Sequence, residues 1–182
     1  MRPEISSARL ALRRYEPHFA PRLWETVQAA RSPAFTRYAT WCHATYGLAD
    51  CQSFVAQCMA QWADGAAFEF ALFDAQTGAL CGGIGLNQPN LKHGFYNLGY
   101  WVSPSHQRQG LARLAVRQLA RAAFADLPAL HRIEILTAPD NVASQRTALS
   151  AGATREGVLR QRLREPDGTV RDAVLFSLVR SA

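Results

Sequence analysis

The sequence predicts one α/β (α+β) domain over residues 1–182. Three observations carry that prediction. Residues 68–102 hold apolar runs of strand length separated by turn residues. Leu111, Leu114, Ala115, Leu119 and Ala122 recur along one side of a helix that opens directly after Gly110. Arg155 to Arg164 and Val170 to Val179 read as a closing hairpin around Glu165-Pro166-Asp167-Gly168.

The elements follow in order. Arg9 to Tyr15 reads as a strand, because Leu10 and Leu12 alternate with Ala11 and Arg13. A helix is expected over about Pro21 to Ala30. Ser32 to Ala49 carries aromatic residues without a clear period, and a connection of that length is often functional. Asp50 is the expected N-cap of a helix through Trp62, with Phe54, Val55, Cys58 and Met59 at helical spacing. Phe68 to Phe73, Leu80 to Leu86 and Gly94 to Val102 are strands, the first two joined by a turn over Asp74 to Gly78. Ser103-Pro104 ends the third, since proline has no N–H to give a ladder. Leu111 to Phe124 is a helix, His131 to Thr137 a strand, and Asn141 to Ser150 a short helix stopped by Gly152.

Composition narrows the function classes. Hydrophobic content of 48% with 19% charged residues reads as a soluble, globular chain. No run approaches the roughly 20 apolar residues that cross a bilayer. Met1 to Leu10 lacks the apolar core of a signal peptide, so a cytoplasmic location is expected and no membrane partner. The net charge of +6 is almost all arginine, with Lys92 the only lysine, and suits an anionic ligand. No basic stripe interleaved with aromatics is present, so direct nucleic-acid binding is not expected. Cys42, Cys51, Cys58 and Cys81 lack metal-ligand spacing; reduced, buried thiols are expected, and no metal.

The most informative segment is Ser103-Pro104-Ser105-His106-Gln107-Arg108-Gln109-Gly110-Leu111-Ala112, between a strand and a helix. A helix start leaves backbone N–H groups without partners, and its dipole favours negative charge. Small residues at 110 and 112 let a pyrophosphate approach the main chain. No Gly-Lys-Ser/Thr follows, so this is not a nucleotide P-loop, and one glycine does not make the dinucleotide fingerprint.

Gln107-x-x-Gly110-x-Ala112 resembles the acetyl-CoA motif of the GNAT acetyltransferase superfamily. Leu98-Gly99-Tyr100-Trp101-Val102 before it strengthens the likeness. So do Asn141-x-x-Ser144, Ala151-Gly152-Ala153, Glu156-Gly157 and Asp172 after it, in an order similar to the subgroup that acetylates ribosomal-protein N-termini. The resemblance implies a central, mostly antiparallel mixed sheet, flanked by helices, that splays open beside the cofactor helix. It implies acetyl-CoA as co-substrate. Pantetheine would pair with backbone near Trp101, Val102 and Ser103, and pyrophosphate would meet the N–H groups of Arg108, Gln109, Gly110, Leu111 and Ala112. Arg108 and Arg113 are either phosphate partners or solvated arginines.

The resemblance implies that Asn141 contacts the pantetheine arm, beside its reading as an N-cap. Ser144 lies one turn later on the same side and is a candidate proton donor to the leaving thiolate. Many relatives use a tyrosine, where this chain reads Thr147-Ala148-Leu149. The general base is open between Glu134 and Glu69, each within an expected strand and each also readable as a solvated residue. Some relatives carry a carboxylate near position 163, where this chain has Arg160-Gln161-Arg162-Leu163-Arg164. Trp41, His43 and Tyr46 are candidates for the acceptor pocket, or for packing. Asp172 is expected to order the arginine-rich hairpin through an ion pair with Arg160 or Arg162.

Three functions stay open at this point: acetylation of a protein N-terminus, acetylation of a small amine, or acyl-CoA binding without turnover. A monomer or a homodimer is compatible with each.

Overall fold

A computed structural model describes residues 1–165 and 167–180. Its strands are β1 (Glu4–Ser6), β2 (Leu10–Arg14), β3 (Phe68–Asp74), β4 (Leu80–Asn90), β5 (Phe95–Val102), β6 (Arg132–Thr137), β7 (Thr154–Arg164) and β8 (Val170–Val179). Its helices are α1 (Ala20–Ala30), α2 (Pro33–Thr36), α3 (Leu48–Ala63), α4 (Leu111–Asp126) and α5 (Val142–Ser150). The strands form one sheet in the order β1-β2-β3-β4-β5-β6-β8-β7.

Every neighbouring pair is antiparallel except β5 and β6. Those two strands run parallel and pair only at Phe95↔Arg132, Tyr96↔Ile133 and Asn97↔Glu134. Beyond that, β5 stays tied to β4 as far as Gly82↔Val102, and β6 stays tied to β8 as far as Thr137↔Val174. Each strand follows its antiparallel partner, and the sheet opens between them. The opening lies at the carboxyl ends of two parallel strands, each followed by a helix, where open α/β sheets bind ligands.

Both faces of the sheet are covered, which fixes the frame. Strand alternation sends Leu10, Leu12, Phe70, Leu72, Ile133 and Ile135 to the side where Leu111, Ala115 and Leu119 of α4 pack. Ala11, Ala71 and Phe73 face the other way, against Leu23 and Val27 of α1 and Cys51, Val55 and Cys58 of α3. β3 is thus buried on both faces and reads as a continuous apolar run. Leu119 is wholly enclosed, and its truncation to alanine would cost about 2–5 kcal/mol.

Four details differ from the sequence reading. β1 has only Ile5 partly buried between two exposed residues, too short for alternation to register. The connection before α3 contains α2, capped by Ser32, whose hydroxyl accepts from the Phe35 N–H at 3.3 Å. Gly47, not Asp50, is the N-cap of α3; Asp50 sits at the third helical position and accepts from the Gly47 N–H at 2.7 Å. Among the described residues Asp172 forms no ion pair with Arg160 or Arg162. It accepts instead from the N–H of Gln161 at 2.9 Å, where β7 bulges and Gln161 takes φ 51°. In the closing turn Asp167 accepts from the Thr169 N–H at 2.9 Å, and Pro166 lies outside the described residues.

Candidate active site

The split presents a strand edge. Ser103 N–H donates to the Cys81 carbonyl at 2.8 Å, so the polar groups of Ser103 and, two residues back, Trp101 turn toward β4. By the same alternation Tyr100 and Val102 turn their N–H and C=O groups toward the split, where β6 no longer pairs. Gln107 Nε2 donates to the Val102 carbonyl at 2.9 Å, which leaves the Val102 N–H facing the opening. Ser103 faces the other way: its N–H is spent on β4, and its hydroxyl lies 3.0 Å from the Ser105 hydroxyl.

Ahead of α4 the chain folds into a hollow. Arg108 has φ 59° and Gly110 φ 76°, two left-handed residues around Gln109. Such alternation of handedness turns successive N–H groups to one side and makes an anion-binding concavity. Among the described residues no acceptor takes the N–H groups from Arg108 to Arg113. Gln109 anchors the loop, its carbonyl accepting from Arg9 Nη2 at 3.1 Å and its side chain donating to the Ser105 carbonyl at 3.2 Å. A Cβ on Gly110 would have nothing nearer than Arg113 Nη2 at 3.9 Å, so the space over Gly110 is open.

The hollow belongs to a cleft of about 640 Å³ that runs from Gln107, Arg108 and Arg113 past Val102 to Asn141 and Ser144. Asn141 caps α5, its Oδ1 accepting from the Ser144 N–H at 3.1 Å. Arg146 is a third cation on the cleft wall. Its signal in the sequence was its place on the same short helix as Asn141 and Ser144. Across the cleft mouth Arg37 Nη2 and Arg171 Nη2 hold Asp140 at 2.5 and 2.8 Å, and Tyr38 donates to the Asp140 carbonyl at 3.1 Å. These contacts tie the α2 segment to the loop that opens α5.

Tyr100 is the residue the sequence reading missed as a reactive group. It reaches from β5 to α5, where its hydroxyl donates to the Ser144 carbonyl at 2.9 Å and lies 2.9 Å from Ser144 Oγ. The phenol has one proton, so the serine hydroxyl is placed to donate back to the phenolic oxygen. Burial pushes the phenol up to about 12, with the Ser144 and Thr147 hydroxyls pulling the other way. Tyr100 therefore holds its proton at neutral pH. Strand alternation places it on the α4 face beside the cleft, while Trp101 faces the opposite layer.

A second cavity, about 370 Å³, shares Trp41, Tyr100 and Trp101 with the first. Glu69 opens onto it. Asn87 Nδ2 donates to Glu69 Oε1 at 3.0 Å, and Asn97 Nδ2 donates to Asn87 Oδ1 at 2.9 Å. Burial raises the carboxyl to about 6, against the lowering effect of Asn87. Trp41 and Tyr46 line this cavity, with Trp41 packed edge-on to Tyr46 at 5.3 Å and tilted against Trp101 at 5.7 Å. His43 lines neither cavity. Its ring sits beyond Tyr46, with Nδ1 3.1 Å from the Thr45 hydroxyl, and its carbonyl holds Arg31.

Glu134 is also outside both cavities. It is held by Arg132 Nε at 2.9 Å, and Arg132 continues to Glu156 at 2.7 and 2.5 Å. Residues two apart on a strand share a face, so Arg132 captures Glu134 where β5 and β6 still pair, short of the split. The four cysteines are free and buried. Burial raises Cys51, Cys58 and Cys81, so they remain thiols.

An open mixed sheet, a parallel pair that parts at its carboxyl ends, and a hollow of unpaired N–H groups at the following helix define the architecture of this chain. The family model for the acetyltransferase (GNAT) domain matches residues 9–154, and the chain belongs to that family. The N-acetyltransferase YoaA of Bacillus subtilis, itself uncharacterised, is 36% identical over 104 residues, covering 57% of this chain and 58% of YoaA. The match thus spans less than two thirds of that relative. A Vibrio cholerae structure assigned as a ribosomal-protein-serine acetyltransferase is 28% identical, with TM-score 0.83, and covers 99% of this chain and 100% of that one. The RimL ribosomal-protein alpha-N-acetyltransferase bound to coenzyme A shares the fold, with TM-score 0.86 at 21% identity over 97% of each chain. No helix among the described residues is long and apolar enough to cross a membrane.

Proposed function

We propose that this chain is an N-acetyltransferase that moves an acetyl group from acetyl-CoA to a primary amine. The observation that carries the reading is one continuous path. The unpaired N–H groups of Arg108 to Arg113 open into the split, where the Val102 N–H and the Tyr100–Ser144 pair meet, and Glu69 lies on the far side of Tyr100 and Trp101. The hollow and its arginines take the pyrophosphate. The Val102 N–H stands on the free edge of β5, where it can polarise a thioester carbonyl.

The chemistry then divides between the two cavities. Glu69 accepts a proton from the acceptor ammonium and passes it to water, leaving a neutral amine. The amine nitrogen attacks the carbonyl carbon, the C–S bond breaks, and the nitrogen sheds its second proton. The sulfur receives one from Tyr100 or Ser144, which is replenished in turn. The products are an N-acetyl amine and CoA thiol, with one proton released. No covalent enzyme intermediate is formed, so none of the cysteines takes part.

The likeness to the Vibrio cholerae structure supports a protein N-terminal amine as acceptor. The small second cavity supports a compact amine. Thiol release measured with acetyl-CoA and a panel of peptides and small amines, with products read by mass spectrometry, tests the reading. Acetylated amine is expected. Acetyl-CoA binding with no acetylated product from any amine would leave an acyl-CoA-binding module instead.

A further inference from the structure

We infer that the acceptor carries a single positive charge on an otherwise uncharged, apolar body, with its ammonium seated on Glu69 in the second cavity. The inference rests on the acetyl-transfer reading and names its substrate class.

The lining of that cavity is the argument. Tyr15, Trp41, Tyr46, Phe54 and Trp101 supply aromatic walls, and Glu69 is the one acidic or basic side chain among the lining residues that carries charge at neutral pH. Tyr15 and Tyr46 hold their protons because burial raises both. A carboxylate in such a setting is stabilised by a cation, and aromatic faces attract the same cation. The floor leaves room for it: a Cβ on Gly99 would meet only Asn87 Nδ2, at 3.8 Å.

What is missing from the lining selects against other amines. The cleft arginines, Arg108, Arg113 and Arg146, line the first cavity and not the second. A free amino acid would bury its carboxylate with no cation to meet it. A diamine or polyamine held within the cavity would bury a second ammonium with no second carboxylate. An unpartnered buried charge lowers binding by about a hundredfold or more. A lone ammonium on an apolar body has two sources, a free monoamine or the end of a peptide chain with an uncharged first residue.

The test uses the whole protein and five amines: 2-phenylethylamine, phenylalaninamide, phenylalanine, 1,5-diaminopentane, and a short peptide that begins with phenylalanine. Two readouts are taken, kcat/KM for acetyl transfer and equilibrium binding by calorimetry without cofactor. We expect phenylalaninamide to exceed phenylalanine by about a hundredfold in both, and 2-phenylethylamine to exceed the diamine similarly. Comparison of 2-phenylethylamine with the peptide assigns the source, and either winning fits the inference. Glu69→Gln is expected to weaken binding of 2-phenylethylamine at least about tenfold and to leave acetyl-CoA affinity unchanged. Equal use of phenylalanine and its amide, or equal binding of the two, overturns the inference while leaving acetyl transfer in place. The expected binding order without any turnover keeps the ammonium seat and removes the transfer reading.

Discussion

Gly85 lies directly beneath the carboxylate of Glu69: a Cβ on Gly85 would stand 1.8 Å from Glu69 Oε2. The two residues face each other in register on β4 and β3. The carboxylate therefore rests on bare backbone, a position that only glycine at 85 permits.

Gly85→Ala is expected to displace Glu69 without unfolding the domain, because the atoms in the way are the far end of a flexible side chain. A positioned proton acceptor contributes about 10²–10⁴-fold to rate. Turnover should fall by that order, with acetyl-CoA affinity near the parent value and a cooperative melt retained. Steady-state rates, calorimetry and a thermal melt on one preparation check it. Unchanged turnover would remove Glu69 from the reaction.

Glu69 also ties activity and stability to pH in opposite directions. Burial raises its carboxyl from the ordinary 4.5 to about 6. The groups facing it are Asn87 on β4, Cys58 on α3 and Tyr15 just after β2, and neither Cys58 nor Tyr15 ionises near that pH. The base form is lost as pH falls through about 6, and kcat/KM should fall with it. Stability runs the other way. A carboxyl whose folded value is raised is most stabilising below its unfolded value, and that contribution is lost as pH rises through the folded one. Glu69→Gln should thus be more stable than the parent at pH 8, by at most about 2 kcal/mol, and the gap should close near pH 4, below the unfolded value. Paired melts at the two pH values check the sign.

The turn into α4 could be read because its physics is local: a strand, a proline stop, small residues and an apolar helix fall within consecutive positions, and Gly110 does adopt φ 76°. The element order was legible for the same reason, since Phe68–Asp74 is a strand-length apolar run bounded by turn residues and Leu111–Asp126 carries a strong helical period. The parting of β5 from β6 was not readable from their own residues and came only through family resemblance. It depends on two antiparallel partners pulling apart. Glu69 and Glu134 looked alike, each the one glutamate in an apolar strand. Alternation along β6 puts Arg132 beside Glu134, whereas only the β3–β4 register puts Gly85 beneath Glu69. Tyr100 was hidden because its partner, Ser144, lies 44 positions away in the chain.

At Gly110 two substitutions separate strain from obstruction. Asparagine tolerates a left-handed backbone, whereas valine there is strained by about 1–2 kcal/mol. Gly110→Val should melt earlier than the parent, and Gly110→Asn close to it. Both are expected to lose at least about tenfold in acetyl-CoA affinity, because each puts a side chain where a pyrophosphate must approach backbone. Affinity retained by Gly110→Asn would place the phosphates elsewhere. The readout is the rise in melting temperature on adding acetyl-CoA, which for a hundredfold excess over Kd corresponds to about 2.7 kcal/mol in a competent protein.

Tyr100 and Ser144 form a pair, so their roles separate only when both are changed. If the phenol delivers the proton to the departing sulfur and the serine orients it, Tyr100→Phe should lower kcat by about 10²–10⁴-fold. Ser144→Ala should then cost less, since the phenol keeps its bond to the 144 carbonyl, and the double variant should be no slower than Tyr100→Phe alone. If Ser144 is the donor, the order of the two single variants reverses. Either substitution also removes one hydrogen bond, worth about 1 kcal/mol of stability, so melting temperature alone does not discriminate. An acetyl thioester of a more acidic thiol does. Its sulfur leaves without needing a proton, so it should rescue whichever variant lacks the donor and leave one that is merely misfolded or misaligned as slow as before. Near-normal kcat in both single variants with the natural thioester would reject both assignments and hand the proton to solvent water.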